Sequence, residues 1–308
     1  MSKVIKNLPL PIAGLMLALF ALGNLVQTYS ETVRYVFGAI GFIIFILIIL
    51  KLALQNKLVM EELSNPLIFS VFPTFSMGIM LMATYIKPFA AGLAKTVFII
   101  GFAIHIILII AFTVKHIFNF HIKKVFPSWF IVYVGIAVAS IVAPAFELAS
   151  IGKFSFYFAL IAYVILMVIV IKRWFFFKNV PEPALPAFAI FSAPGSLCLA
   201  GYMNSFADKN LTLFWILLVV SQLIYIAVII KTFSAIRGKF YPSFSSFTFP
   251  LVISATALKL SNGFLMKSGN DMPFLGYLVK AEELIAVIAV VFVLIKYIVF
   301  SYNVCKSE

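Results

Sequence analysis

The sequence predicts an all-α integral membrane protein: ten transmembrane helices arranged as five helical hairpins around a central pore, with a quasi-five-fold repeat. Three observations carry this. Of the 308 residues, 64% are hydrophobic and only 11% charged, against about a quarter charged in an average soluble domain; mean hydropathy is +1.16. Too few polar residues remain to cover a water-facing surface, which excludes a soluble globular protein, a disordered chain and a disulfide scaffold. Second, the apolar runs are long and continuous, so an outer-membrane barrel is excluded. Third, prolines recur on a near-constant period.

The first span, 10–28, follows Met1-Ser-Lys-Val-Ile-Lys6. No small-residue cleavage site follows a short apolar core, so it reads as a retained span. Polar residues from Gln27 to Glu31 separate it from span 2, 32–55. After Lys57 to Asn65 come spans 3 and 4, 66–86 and 92–114; after His116 to Lys124 come spans 5 and 6, 126–146 and 151–173. Lys178 to Pro183 precede spans 7 and 8, 184–204 and 210–232, and Arg237 to Pro242 precede spans 9 and 10, 243–264 and 274–300. About 20 apolar residues suffice to cross a bilayer. The chain reads as one transmembrane domain of hairpin repeats at about 9–57, 66–115, 127–173, 184–232 and 242–300.

Charge sets the orientation. The termini and the loops after spans 2, 4, 6 and 8 carry 15 of the 23 Lys and Arg residues. By the positive-inside rule both termini are cytoplasmic, which an even number of spans satisfies. The net charge is +13, and +11 of it falls on the cytoplasmic side.

Prolines open the odd spans at Pro9/Pro11, Pro66, Pro127, Pro186 and Pro242, at intervals of 57, 61, 59 and 56 residues. A period this long marks a repeated structural unit, and proline suits a first helical turn because its missing N–H needs no partner there. A second proline lies deeper in three odd spans, at Pro73, Pro194 and Pro250. Gly135 and Gly14 stand near the same place in spans 5 and 1. Interior prolines kink helices and free carbonyls, which membranes tolerate inside protein or beside a cavity. The odd spans thus read as inner, kinked and cavity-lining; the even spans, without interior proline, read as straight and lipid-facing. Small residues such as Gly195, Gly201, Ala137 and Ser140 favour close helix packing and equally leave room for an ion.

The stretch Pro242-Ser-Phe-Ser-Ser-Phe-Thr-Phe-Pro-Leu251, in a ninth span of ten with five proline-started odd helices, resembles the bacterial TehA tellurite-resistance/dicarboxylate transporters and the plant guard-cell slow anion channels. The resemblance spans the transmembrane chain; the Phe-Thr-Phe-Pro run is its sharpest match. It implies a homotrimer in the cell membrane, each protomer with its own anion pore occluded by a phenylalanine of span 9, here Phe249. Met16 stands where the family pattern has an interior proline. Hydrophobic constrictions gate by excluding water. Phe72, before Pro73, is the equivalent in span 3, and Leu15, Val134 and Ala193 complete an apolar ring at one depth. Lys259, ten residues beyond Phe249 or about 15 Å along a helix, reads as an anion attractor in an outer vestibule or as a lysine snorkelling to headgroups.

Other titratable residues read as structural. His105 fits a neutral, hydrogen-bonded histidine between helices, although intramembrane ionisable groups are functional suspects. The spacing of His116 and His121 does not suit a metal. Glu147, Glu282 and Glu283 fall near outer span ends, the last two as a solvated ion-pair cluster with Lys280. Cys198 and Cys305 suggest neither a disulfide nor a metal site. No enzyme motif is present, and no cofactor is implied. The expected function is passive passage of small anions such as chloride and nitrate. The alternative is secondary transport of C4-dicarboxylates or oxyanions such as malate or tellurite, against which stands the lack of a two-half inverted repeat or a buried Arg/Lys pair.

Overall fold

The computed structural model describes residues 2–177, 180–235 and 238–306. Lys178, Arg237 and Glu308, which enter the charge bias, and the side chain of Cys305 lie outside the described residues. The described elements are all helical, with no strand among them.

The helices fall into two populations. Long uninterrupted helices run over Glu31–Leu54, Ala91–His116, Ala149–Ile171, Leu211–Ala235 and Pro273–Lys306; these are the first to fifth outer helices. Between them the chain is broken into short pieces. The first inner segment is Ile12–Val26, and the second is Pro66–Val71 followed by Thr74–Ile86. The third runs from Trp129 to Phe146 through alternating α and 3-10 turns. The fourth is the 3-10 run Glu182–Ser192 continued by Ala193–Ser205, and the fifth is the 3-10 run Pro242–Phe247 continued by Phe249–Lys267.

Burial separates the two. The most apolar windows of the outer helices are only 22–33% buried, whereas those of the second, fourth and fifth inner segments are 61–89% buried. All of Ile12–Val26 except Asn24 is buried. The exposed outer faces are apolar, for example Ile43, Ile107, Val168, Leu223 and Ile298, as a hydrocarbon surrounding requires. Among the described residues eight helices are long and apolar enough to cross a membrane, whereas Ile12–Val26 and Gly135–Phe146 are shorter apolar helices.

Each inner segment packs on the outer helix that follows it, and also on its predecessor and successor in the inner set; the fifth returns to the first, closing a ring. Hydrogen bonds between neighbouring inner segments join positions nearly one proline interval apart. Ser70 and Ser128 hydroxyls meet at 2.5 Å and those of Ser196 and Ser254 at 3.0 Å, each pair 58 residues apart. Asn24 Nδ2 donates to Thr84 Oγ1 at 3.0 Å across 60 residues.

The deep prolines do not bend continuous helices. They stand where an α-helix restarts: Pro73 as the residue capping Thr74–Ile86, and Pro194 and Pro250 within the first turns of Ala193–Ser205 and Phe249–Lys267. A missing N–H is harmless there. Near the restarts hydroxyls take backbone carbonyls: Thr74 donates to Val71 O at 2.8 Å and Ser192 to Ala189 O at 2.9 Å, and within the fifth segment's helix Ser254 donates back to Pro250 O at 2.9 Å. A restart suits membrane depth where the carbonyls around it find donors inside the protein.

Gly14 and Gly135 serve close approach. A Cβ on Gly14 would meet Ser245 Cβ at 3.1 Å, and one on Gly135 would meet Met77 Sδ at 2.8 Å and His105 Cε1 at 3.1 Å. Gly195 and Gly201 likewise abut Tyr163 and Ser140, so at these positions the small residues serve packing.

Candidate functional site: an interrupted axial path

Three cavities follow one another along the inner segments, all of which run in the same direction. The lower cavity lies where these segments begin and has a volume of about 380 Å³. Its walls include Pro9, Pro11, Ile68, Pro183 and Pro242, the opening prolines and their neighbours. The central cavity, about 30 Å³, receives residues from all five inner segments. The upper cavity, about 260 Å³, is bounded by Leu25, Leu81, Ile141, Ile253 and Lys259, farther along their segments. Val71 borders both the lower and the central cavity, and Phe249 both the central and the upper one. Phe249 is 6% exposed and opens the helix Phe249–Lys267, with Pro250 next in its first turn.

The central cavity would hold a water or two by volume, but the surface facing it is wholly apolar. Ser245 and Ser246 also border it, and their buried hydroxyls have no hydrogen-bond partner among the described residues, so this section is a narrow, mainly apolar constriction with two unpaired hydroxyls at its edge.

The structure brings most of the predicted ring together. Gly14, Val134, Gly135, Ala193, Pro194, Phe249 and Pro250 line the central cavity. Leu15, Phe72 and Pro73 do not. Phe72 stacks on Phe75 at 5.6 Å, and Phe75 stacks on Phe45 of the first outer helix at 5.8 Å, so its ring is directed outward and does not contribute to a constriction. Leu15 is fully buried in the core. In both segments the cavity-lining residue is one position earlier, Gly14 and Val71. A residue slip turns a side chain by about 100° around a helix, enough to exchange the pore face for the packing face. Thr74, Met77, Phe130 and Leu197 also line the cavity; their apolar setting gave no signal in a chain with 35 phenylalanines and a mostly hydrophobic composition.

Lys259 does line the upper cavity, with Asn24, Thr28 and Thr256, but it is not free. Its ammonium donates to Leu25 O at 2.9 Å, Thr28 Oγ1 at 2.8 Å and Glu283 Oε1 at 2.7 Å and stands 4.9 Å from the centre of the Tyr29 ring. Tyr29 Oη donates to the other oxygen of Glu283 at 2.6 Å, a bond that pushes the phenol above its ordinary value. Lys259 is thus held inside the protein and does not reach out to headgroups as a snorkelling side chain would, and its charge on the cavity wall is met by that of Glu283. The reading of Glu282 and Glu283 as a solvated cluster is corrected: they are 4% and 5% exposed. Successive helical positions face different neighbours, Glu283 towards Lys259 and Glu282 towards Gln222 and Tyr225 of the fourth outer helix.

A second pair stands at the lower end. Lys51 is fully buried, donates to Leu8 O at 2.5 Å and pairs with Glu62, and Glu62 borders the lower cavity beside the exposed Lys6. Behind the upper cavity, Arg34 Nε donates to Asn24 Oδ1 at 3.2 Å while Nη1 pairs with Glu31 at 3.3 Å.

His105 is buried, and its Nδ1 lies 2.8 Å from Ser76 Oγ, so it joins the second outer helix to the second inner segment against Gly135. His116 packs against Phe69 and Phe112, and Glu147 is exposed with a left-handed backbone, φ 62°. Cys198 is a buried free thiol. Among the described residues no cluster of His, Cys, Asp and Glu could hold a metal ion.

Among curated proteins none matches the chain. The family model described as voltage-dependent anion channel, SLAC1, matches residues 7–300, nearly the whole chain. With its long apolar helices ringing an apolar axial path, this multi-pass membrane protein belongs to the SLAC1 voltage-dependent anion channel family.

Proposed function

We propose that the protein is a passive anion channel or channel-like facilitator whose conduction path runs through the three cavities and is closed by Phe249. One observation carries the reading: Phe249 lines both the narrow central cavity and the upper cavity. The path has ten membrane crossings as five hairpins in quasi-five-fold order, the two short apolar helices completing the set. Both termini are cytoplasmic by the Lys/Arg bias, which makes the lower cavity the cytoplasmic mouth. Each protomer of a homotrimer in the cell membrane holds its own path. The permeant ions are small anions such as chloride and nitrate, for two reasons. The constriction is narrow, and the lysine beside the path is already paired, so a permeating ion is held weakly enough to leave.

Replacing Phe249 by Ala and recording currents in oocytes or planar bilayers tests this. An anion-selective current well above wild type is expected. A silent, folded variant, or a reversal potential that follows cations, refutes the gate. Saturable, proton-dependent malate flux without current would instead establish the coupled-transporter reading.

A further inference from the structure

We propose that Glu283, which lies on an outer helix and not on the pore ring, sets the anion affinity of the upper cavity by competing with the permeant anion for the Lys259 ammonium. The proposal rests on the channel reading above.

An ammonium has three N–H donors. All three of Lys259 are engaged, by Leu25 O, Thr28 Oγ1 and Glu283 Oε1. Two of those partners are neutral and belong to the first inner segment and the loop after it. The third is the only charged one, and it comes from the fifth outer helix. An anion in the cavity therefore finds a lysine on the wall, still 27% exposed at its side chain, with no donor to spare. It gains one only by taking the place of a current partner. Replacing Glu283 is the one exchange that leaves the charge around the ammonium unchanged. Glu283 is anchored for this role, because its second oxygen accepts from Tyr29 at 2.6 Å. A released carboxylate thus keeps one bond and stays within reach to return.

The consequence is a weak site. While Glu283 is in place the cavity wall carries a paired lysine and no net charge from it. An entering anion must displace a tethered rival, and the rival's return speeds the anion's departure. Weak binding of this kind is what conduction requires.

The test uses the full-length protein in two ways. In the Phe249→Ala background, Glu283→Gln should lower the chloride concentration giving half-maximal current about fivefold, the effect of one unmasked charge near the path at an effective dielectric between protein and water. Adding Lys259→Gln should abolish the gain. In detergent, with Phe249 intact and no conduction needed, chloride or nitrate should raise the melting temperature of Glu283→Gln at about fivefold lower concentration than wild type. Tyr29→Phe removes an anchor of Glu283 without removing a charge. It should shift both readouts the same way by about twofold, and it serves where Glu283→Gln does not fold. Unchanged anion responses in these variants overturn the proposal, as does a gain that survives Lys259→Gln. If Phe249→Ala passes no anion current, the channel reading fails, while the melting titration still decides this one.

Discussion

Phe249→Ala is the sharpest perturbation the fold offers. Phe249 lines both the cavity of about 30 Å³ and that of about 260 Å³, and on the proposed reading truncating its ring merges them and removes the bulk that keeps water out. Taking an ion out of water costs several kcal/mol even in a relaxed protein environment. If a few waters can accompany the anion past an alanine, about 2–3 kcal/mol of that barrier is recovered, or about 30- to 150-fold in rate. The expected result is therefore a current at least tenfold above wild type at equal expression, with a reversal potential that follows the chloride gradient. Phe249→Leu, which keeps apolar bulk, should fall between. Burial of the ring also predicts a stability cost. It should be below the roughly 3–5 kcal/mol of an ordinary core Phe→Ala change, because the space left opens into an existing cavity. Purified variant protein that is folded, surface-expressed and silent would refute the argument.

The other predictions follow from neighbours of the path. Phe72→Ala should leave the channel closed, because its ring stacks on Phe75 and not into the cavity; a current like that of Phe249→Ala would contradict this. Gly135→Ala places a Cβ within 2.8 Å of Met77 Sδ and 3.1 Å of His105, and should cost about 1–3 kcal/mol by overpacking, read as a lower melting temperature in detergent. Glu62→Gln leaves the fully buried Lys51 without its carboxylate, and should destabilise by about 3–5 kcal/mol. Glu62→Gln combined with Lys51→Met should recover most of that loss in the same melting assay.

The inner and outer sets of helices were legible because proline leaves a mark that composition does not blur. Pro66, Pro127, Pro186 and Pro242 repeat at nearly fixed intervals, and the outer helices lack interior proline. What the deeper prolines do was less legible. Pro73 and Pro250 look like kinks in a string of letters, and become restarts once the 3-10 or turn residues before them are visible. The ring was legible in three segments and slipped in two. Alignment on the deep proline puts Phe72 opposite Phe249, whereas Val71, one residue earlier, lines the cavity. A 100° rotation per residue converts that small error into the wrong face.

Charge pairing was the least legible feature, for a reason that bears on how the path works. Lys259 and Glu283 are 24 residues apart and meet only because the fifth inner segment and fifth outer helix pack as a hairpin. Lys51 and Glu62 likewise meet only when the chain folds back at the lower end. Sequence shows a chain of net charge +13 and invites the thought of a basic pore. Instead, the lysine on the upper wall is paired, the buried lysine near the lower mouth is paired, and the central section presents only apolar surface. A pore with a bare lysine would bind anions tightly and release them slowly, because attraction in a low-dielectric wall is strong. Pairing Lys259 and Lys51 with carboxylates keeps the desolvation of these charges tolerable, and Lys6 at the lower cavity adds a modest attraction there. On the proposed channel reading the discriminating step falls on the narrow section at Phe249, where the cost of losing water is smallest for large, weakly hydrated monovalent anions and greatest for small or divalent ones. On that basis the Phe249→Ala current should be carried better by nitrate than by chloride, and sulfate should be excluded. Bi-ionic reversal potentials measure that order directly, and a sulfate permeability equal to that of nitrate would refute a dehydration-limited path.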